Sequence, residues 1–343
     1  MTLKHGISFF GLALLLLLLF VVNIFFGSIH LPADQVLDAL VGNGGDSVTS
    51  FVVVQSRLPQ AITAVLCGAG LAVSGLMLQT VFHNPLADPS ILGVNSGASL
   101  GVAFVMLVLG GTFATANATL GGFFLIVAAA FGGAILIILL LLVFANYVKG
   151  NVSLLIVGIM ISYLTSSVIS LLNYSATEQG VHSYIIWGLG NFGGISLKTM
   201  PLFATAMLVC IALSIALIKP LNAWQLGSAY ARNLGISIRG TRVMLLIVTG
   251  LIAAISTAFC GPISFIGLAV PHIVKLISNS ANHRVLVPMT LLAGAILGLL
   301  CNWMCSLPSD GTTIPINVVT PFFGVPVILY ILLPKRKAGE RKI

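Results

Sequence analysis

The sequence predicts an all-α membrane protein, a polytopic bundle of about ten transmembrane helices forming a single domain over residues 1–343. Of the 343 residues, 58% are hydrophobic and only 6% are charged, whereas soluble domains carry roughly a quarter charged residues. Apolar segments recur along the whole chain, each near the about 20 residues that cross the roughly 30 Å hydrocarbon core. They lack the alternation of transmembrane strands, so helices are expected and a barrel is excluded.

The first apolar segment, residues 6–26, follows Lys4 and has the outline of a signal peptide. Its apolar core is longer than the roughly 7–15 residues of a secretory signal, and no small-x-small cleavage site follows it. We therefore expect it to be retained as the first span. The ten expected spans cover residues 7–26, 57–82, 94–110, 118–147, 152–172, 199–218, 240–260, 264–277, 284–306 and 316–333.

Between the fifth and sixth spans, the apolar piece Tyr184–Leu189 is too short to cross the bilayer and predicts a periplasmic or re-entrant helix. The eighth span is shortened and broken, which requires neighbouring groups to satisfy the freed backbone atoms. The residues that break it are Gly261, Pro262, Gly267 and Pro271. His272, beside the last of these, is interpreted as structural. Cys301 and Cys305 share a helix face without histidine or carboxylate, so packing rather than a metal or cofactor is expected.

The net charge of +8 would suit a nucleic-acid partner, but its distribution indicates a membrane topology. With the N-terminus inside, nearly all basic residues fall on the cytoplasmic side of the spans, and only Arg57 and Lys198 fall outside. This asymmetry follows the positive-inside rule and places both termini in the cytoplasm. The basic tail, residues 334–343, is expected to contact anionic lipid rather than nucleic acid.

If a polytopic helical protein of this kind moves a solute, its sequence limits the possible sources of energy. No G-x-x-x-x-G-K-[ST] loop occurs, so the chain is not expected to bind ATP through a phosphate loop. Ion-coupled carriers usually keep an ionisable group near the midplane, whereas all seven acidic residues fall in loops or at span ends. A channel would need a regular polar face or a ring-forming charge, and no span is expected to carry either. A separate ATPase is favoured, and an ion-coupled carrier or channel acting alone is the alternative.

A series of short motifs, rich in glycine and proline, runs in order over about residues 55–333. Its members are Arg57–Gln60, Gly68–Gly75, Gln79, Asn84–Pro89, Leu92–Gly93, Gly97–Ala98, Trp187–Gly188, Leu226–Gly227, Ala231, Leu234–Gly235, Gly261–Leu268, Pro271–His272, Pro315 and Gly324–Pro326. In this register the series resembles the FecCD family, the permeases of ABC importers for iron–siderophores, haem and cobalamin.

The resemblance implies an importer permease of the large (type II) kind in the bacterial inner membrane. A homodimer would surround a central pathway, with two cytoplasmic ATPase subunits and a periplasmic or lipid-anchored binding protein. The chain itself would not be an enzyme, because ATP hydrolysis belongs to the ATPase. An iron–siderophore is the first expectation for the cargo, with haem and cobalamin as the other members of the same class.

The resemblance places a cytoplasmic gate in the loop after the second span. Prolines and glycines break the helix sharply there, and Asn84 and Leu86 would face the dimer axis beside Pro85. A second gate element would join the fourth and fifth spans at Asn151 and Ser153. The alternative is an ordinary tight turn between two spans.

The longest cytoplasmic loop, about residues 219–242, is expected to form two short helices, divided by a turn near Leu226–Gly227 and closed by a turn at Gly235. The resemblance makes these the coupling helices that enter a groove of the ATPase, and the coupling residues are Leu226, Gly227, Ala231, Leu234 and Gly235. Trp224 and Tyr230 are expected to extend the apolar surface of Leu226 and Leu234. Ser228 stands where the family usually has glutamate. An amphipathic helix resting on lipid headgroups is the alternative.

The outer end of the second span is expected to dock the binding protein. Family members commonly begin this span with two arginines, of which Arg57 is present and Gln60 replaces the second. An arginine pairs with carboxylates in bidentate geometry and steers encounter, and Lys198 would assist it. A third family arginine is replaced by Ser306. The alternative is that Arg57 only reaches the membrane interface.

Overall fold

The computed structural model of the chain defines residues 3–42, 48–108, 120–148, 151–308 and 312–332. The regular structure of these residues is helical, and no strand occurs among them. The basic tail 334–343, Asp46 and Asp310 lie outside the described residues, so the expectation of lipid contact by the tail stays a prediction.

The helices number fifteen in the described parts of the chain. They are α1 Leu3–Phe25, α2 Ala33–Val41, α3 Val48–Ser50, α4 Leu58–Phe82, α5 Val94–Ala103, α6 Leu120–Tyr147, α7 Asn151–Ser175, α8 Glu178–Gly188, α9 Met200–Ala216, α10 Ile218–Gln225, α11 Ser228–Asn233, α12 Ile238–Cys260, α13 Ile266–Ser278, α14 His283–Cys305 and α15 Ile316–Leu332. Two π-helical segments extend this set, Phe51–Arg57 before α4 and Phe104–Val108 after α5.

The apolar helices correspond in order to the expected spans. Six units are long and apolar enough to cross a membrane, namely α1, α3 joined to α4, α6, α7, α12 and α14. A seventh is α9, which continues into α10 across a bend of 46°. Three shorter apolar helices complete the set: α5 with its π-helical extension, α13 and α15. The prediction of an all-helical bundle of about ten spans is therefore confirmed.

Helix α4 is the centre of the bundle, with 83% of its most apolar window buried. Glycines bring its backbone directly against two neighbours. A Cβ atom at Gly68 would collide with the carbonyl group of Gly294 in α14, and one at Gly75 with the backbone of Gly267 in α13. Small residues allow helices in a membrane to approach this closely and pack by van der Waals contact. Gly267 therefore contributes to packing as well as to the shortened eighth span.

Buried apolar side chains form two clusters on either side of α4 and α12. The first cluster joins these helices to α1, α2, α9, α10, α13, α14 and α15. The second joins α5, α6 and the start of α7 to the end of α4. Leu245 and Val248 of α12 belong to the first cluster, whereas Leu246 and Ala253 belong to the second. Helix α12 thus connects the two halves of the bundle.

Helix α1 lies at the edge, with only 17% of its most apolar window buried. Its attachment to α14 depends on buried amides. Asn23 Nδ2 donates to the carbonyl oxygens of Leu19, at 2.8 Å, and Leu299, at 3.1 Å. Asn302 Nδ2 donates to Asn23 Oδ1 at 2.8 Å. Interhelical amide bonds of this kind fix the register of two helices in lipid.

Helix α8 is the short helix expected between the fifth and sixth spans. It begins at Glu178, before the apolar piece Tyr184–Leu189 that indicated it. The Thr177 side chain accepts a hydrogen bond from Gly180 N at 3.3 Å and so caps the first turn. The sequence located only the apolar end of the helix, because its first turn is polar.

Gly133→Ala in α6 is expected to lower the melting temperature by several degrees. A Cβ atom there would collide with the carbonyl group of Gly97 in α5, and backbone cannot rotate away, so overpacking by about 1–3 kcal/mol is expected. The adjacent Gly132 faces open space, and Gly132→Ala is the matched control. Tryptophan fluorescence during heating in detergent measures both. Equal melting temperatures for the two variants would contradict close α5–α6 packing.

Candidate functional site

The gate loop, residues 83–93, follows α4 with a sharp turn. His83 adopts a left-handed conformation with φ of 49° and ends the helix. Asn84 Oδ1 then accepts a hydrogen bond from Leu86 N at 2.9 Å, which is the local bond of an Asx turn. Pro85 and Leu86 are exposed at the tip. The loop therefore presents an apolar tip on a turn fixed by its own hydrogen bonds.

The gate loop meets α13 at two residues, Pro85 and Asp88. His272 Nε2 donates to the carbonyl oxygen of Pro85 at 2.7 Å, which gives His272 the structural role that the sequence indicated. Asp88 is buried, and its Oδ1 accepts hydrogen bonds from Ser90 N, at 2.9 Å, and Ser90 Oγ, at 2.6 Å. A Cβ atom at Gly267 would lie 2.6 Å from Asp88 Oδ2. A glycine is therefore required where this carboxyl group meets α13.

The environment of Asp88 changes its acidity. Burial raises the pKa of the Asp88 carboxyl above its ordinary value, while the two hydrogen bonds from Ser90 oppose that rise. Asp88 is the acidic residue that sequence reasoning assigned only to a cytoplasmic loop. Its burial was missed because the α13 backbone that covers it follows much later in the chain.

The second expected gate element lies at the start of α7, which begins at Asn151. Ser153 is partly buried in its first turn. A Cβ atom at Gly158, two turns into the helix, would lie 3.0 Å from the Cα atom of Leu92 in the gate loop. The structure thus brings this end of α7 beside the gate loop.

The break before α13 is satisfied by neighbouring groups, as the sequence required. Gly261 has a φ of 77° and lies against the backbone of Trp187. Asn317 Nδ2 donates to the carbonyl oxygens of Pro262 and Gly188. Pro271 lies inside α13, whose first turn starts after a left-handed Phe265. These residues form a structural joint between α8, α12 and α15.

The coupling segment, residues 218–235, consists of α10 and α11. The two turns that the sequence predicted are confirmed, since Gly227 has a φ of 105° and Gly235 a φ of 78°, values that favour glycine. Leu226, Tyr230 and Leu234 are exposed. They form an apolar surface that nothing covers within the described part of the chain.

One residue expected on this surface lies elsewhere. Trp224 is 1% exposed, so the prediction that it contributes to an exposed apolar surface is wrong. Ala231, a predicted coupling residue, is also buried. Trp224 packs in the first cluster with Leu221 and Leu217. These three side chains hold the coupling segment against the bundle, so it is not a free loop.

Arg57 differs from the expectation of an exposed charge at the outer surface. Its side chain is 6% exposed. Nη1 donates to the carbonyl oxygens of Ile24, at 2.8 Å, and Phe25, at 2.9 Å, and Nη2 donates to that of Ile29. The last carbonyls of a helix lack intrahelical partners and favour a cation. Arg57 therefore caps the end of α1, and Lys198 is the exposed basic residue of the pair.

Two adjoining clefts open beside α8 at the ends of α4, α12 and α14, the side assigned to the outside by charge. Their volumes are about 400 Å³ and about 480 Å³. Gln60 lines the first cleft with Asn302, and Asn191 lines both. Gln60, expected as a docking residue, thus lies in a polar, uncharged hollow. The other two amides were missed because Asn302 comes from α14 and Asn191 from the segment after α8.

Helix α7 carries a stripe of polar side chains that sequence reasoning also missed. The members lie three or four residues apart and are exposed: Tyr163, Ser166, Ser167, Ser170 and Tyr174. Ser167 Oγ donates to Tyr163 O and Ser170 Oγ to Ser166 O, both at 3.0 Å. Towards the gate loop the same face becomes apolar, with Val152 and Ile156. The three-to-four spacing of hydroxyls was the available signal.

Comparison with known proteins finds relatives that match nearly the whole chain. The FecCD transport family matches residues 15–334. The vitamin B12 import system permease protein BtuC of Klebsiella pneumoniae is 34% identical over 330 residues, covering 96% of this chain and 94% of the relative. The molybdate import system permease protein MolB of Haemophilus influenzae is 32% identical over 339 residues, covering 96% of each chain.

A solved structure supports the same assignment. It is described as an inward-facing conformation of a metal-chelate type ABC transporter, and it superposes with a TM-score of 0.81 and 30% identity. The match covers 94% of this chain and 99% of the other. The type II importer permease fold is thereby confirmed, as is the expectation that the chain is a permease subunit and not the ATPase. From its sequence motifs, its fold and these relatives together, the chain belongs to the FecCD transport family.

Proposed function

We propose that two copies of this chain form the pathway of an ABC importer that carries a large metal-containing compound into the cytoplasm. Two separate ATPases drive it, and a binding protein outside the membrane delivers the cargo. The polar stripe of α7 is the observation that carries this proposal. It gives a membrane-crossing helix one face of hydroxyl groups, and one copy alone provides only one wall for a pathway.

The exposed face of α7 changes from polar to apolar towards the gate loop, as expected of a pathway that is closed at the cytoplasmic end. The hydroxyls of Tyr163, Ser167 and Ser170 lie in the half of α7 assigned to the outside, whereas Val152 and Ile156 lie near the gate loop. Each serine hydroxyl donates to its own helix, so its lone pairs stay available to a passing ligand. An apolar constriction hinders water and ions. The gate loop, with the apolar Leu86 at its tip, adds to that barrier.

The proposed cargo is a bulky chelate, with an iron–siderophore first and haem or cobalamin as the alternatives within that class. The exposed polar groups of the stripe carry no formal charge, which suits a compound recognised by size and hydrogen bonding. Relatives of similar identity are named for vitamin B12 and for molybdate, so the permease sequence alone does not select the cargo. Selection is assigned to the binding protein.

The binding protein is proposed to dock over the outer clefts. Because Arg57 is occupied with the end of α1, charge attraction falls to Lys198, and Gln60 with Asn191 supplies hydrogen-bonding groups. Uncharged amides fix the orientation of the docked binding protein through hydrogen bonds, but they do not attract it over long distances. The proposed ATPase contact is the exposed apolar surface of Leu226, Tyr230 and Leu234.

Reconstitution tests the proposal directly. Proteoliposomes holding this chain with its cognate ATPase and binding protein are expected to take up radiolabelled chelate when ATP is enclosed with the ATPase. Liposomes with the chain alone are expected to show neither ATP hydrolysis nor uptake, even across a proton or sodium gradient. Gradient-driven uptake by the chain alone would overturn the importer and favour a secondary carrier, for which the buried Asp88 would be the candidate proton site.

Gly235→Trp is expected to abolish ATP-driven uptake while leaving the dimer intact. It places a bulky side chain in the coupling segment at a φ of 78° with open space around it. Gly42→Trp is the matched control, because Gly42 has a φ of 86°, equally open space and a position outside. Strain is therefore similar in the two variants. Uptake assays with size-exclusion chromatography separate the effects, and normal uptake by Gly235→Trp would remove the coupling role.

Asp88→Asn is expected to gain stability over the parent protein as pH rises. Burial raises the folded pKa of Asp88 above the about 3.9 of an unfolded aspartate, so the folded state binds more protons and stability falls as pH increases through this range. Asparagine keeps an acceptor for Ser90 and does not titrate. Melting temperatures at pH 4.5, 6 and 8 measure the difference. A difference independent of pH would contradict the shifted pKa.

A further inference from the structure

A chain of hydrogen bonds joins three helices at the cytoplasmic end of the bundle. Asn222 of α10 accepts at Oδ1 from the backbone N of His283 at 2.7 Å, and His283 Nδ1 lies 3.0 Å from the same oxygen. On the other edge of the ring, His283 Nε2 lies 2.9 Å from Thr80 Oγ1 in α4. The imidazole, 1% exposed, therefore bridges α10 to α4 from the first residue of α14.

The protonation of this bridge follows from its acceptors. A backbone N–H needs an oxygen, so the Asn222 atom facing His283 is Oδ1 and not the amide nitrogen. His283 Nδ1 must then carry the proton that it donates to that oxygen. In the neutral ring Nε2 is left as an acceptor, and the Thr80 hydroxyl is the donor that faces it. The same hydroxyl also lies 2.8 Å from the Leu76 carbonyl oxygen, so its single proton is shared between that oxygen and His283 Nε2.

The hydrogen bonds of the His283 side chain are not needed to cap α14. Asn282 already caps that helix, since its Oδ1 accepts from Arg284 N at 2.9 Å, and Asn222 Nδ2 donates to the same Oδ1 at 3.0 Å. Burying an imidazole with both nitrogens engaged costs desolvation that a cap alone does not need. Fully satisfied buried networks make rigid connections. The His283 side chain thus connects α10 to α4, which the cap of α14 alone would not join.

One end of the bridge lies in the coupling segment, and the other lies next to the gate loop. Asn222 lies within the coupling segment, beside the buried Leu221 that fixes α10 to the bundle. Thr80 lies in the last turn of α4, immediately before the gate loop. The neighbouring Gln79 is held by α13, because Lys275 Nζ donates to its Oε1 and its Nε2 donates to Leu268 O. Displacement of α10 is therefore passed to the base of the gate.

We propose that the hydrogen-bonded chain Asn222–His283–Thr80 transmits movement of the coupling segment to the gate loop. The inference rests on the proposed function, since it assumes that an ATPase displaces α10 and α11. His283 is a positioning residue in this scheme and contacts no cargo. Two sites are coupled when both bias one element, and here that element is the last turn of α4.

Thr80→Val tests the link with little change of shape. Valine removes the hydroxyl that donates to His283, whereas Thr80→Ser keeps it and is expected to keep transport. Thr63→Val is the matched control, because Thr63 also lies in α4 and, like Thr80, donates to the carbonyl oxygen four residues before it, at 2.8 Å. This hydrogen bond of Thr63 stays within α4, so its loss affects that helix alone.

The measurement is the number of cargo molecules imported per ATP hydrolysed, in proteoliposomes with the cognate ATPase and binding protein. A structural role would change the amount of folded protein but not this ratio. We expect the ratio to fall about fivefold or more for Thr80→Val and to stay at the parent value for Thr80→Ser and Thr63→Val. An unchanged ratio for Thr80→Val overturns the link.

Asn222→Ala tests the other end of the chain. If both residues act through His283, Thr80→Val combined with Asn222→Ala lowers the ratio no further than either change alone. Losses that multiply in the double variant would show two independent effects and overturn the inference. Failure of the parent complex to import with ATP would instead overturn the proposed function, and the inference with it.

Discussion

The fold depends on satisfying backbone groups wherever a helix ends or breaks inside the bundle, because lipid offers no water to replace a missing partner. Side chains from distant helices supply the partners. Arg57 meets the end of α1, Asn317 meets the carbonyl groups around the break before α13, and Asn222 meets the start of α14. Irregular backbone is thus confined to positions that another helix can reach, and these are also the positions with functional assignments.

The same constraint applies to the proposed gate and coupling segment. Pro85 is exposed at the tip of the gate loop, yet its carbonyl oxygen is held by His272 of α13, and Thr80, just before the loop, faces His283 of α14. The coupling segment is fixed by Trp224 and exposes Leu226 and Leu234. Each element has an anchored side and a free side, so a partner can displace it as a unit.

Much of this architecture could be predicted from the sequence, because bilayer thickness sets the length of each span and a glycine at the end of a short helix indicates a backbone with positive φ. The positions of the spans and the turns at Gly227 and Gly235 followed from these rules. The burial of Arg57 could not be predicted, since its acceptors lie about thirty residues earlier. Trp224 was misplaced because a helix as short as α10, with eight residues, defines no apolar face by itself.

The attachment of α1 has a consequence for how the chain is made. Synthesis proceeds from the N-terminus, yet Asn23 is paired with Asn302, which is added 279 residues later. The carbonyl groups at the end of α1 gain Arg57 early, whereas Asn23 Oδ1 has no Asn302 partner until α14 has entered the bilayer. Helix α1 is therefore made before α14 but reaches its final position only after α14 has inserted.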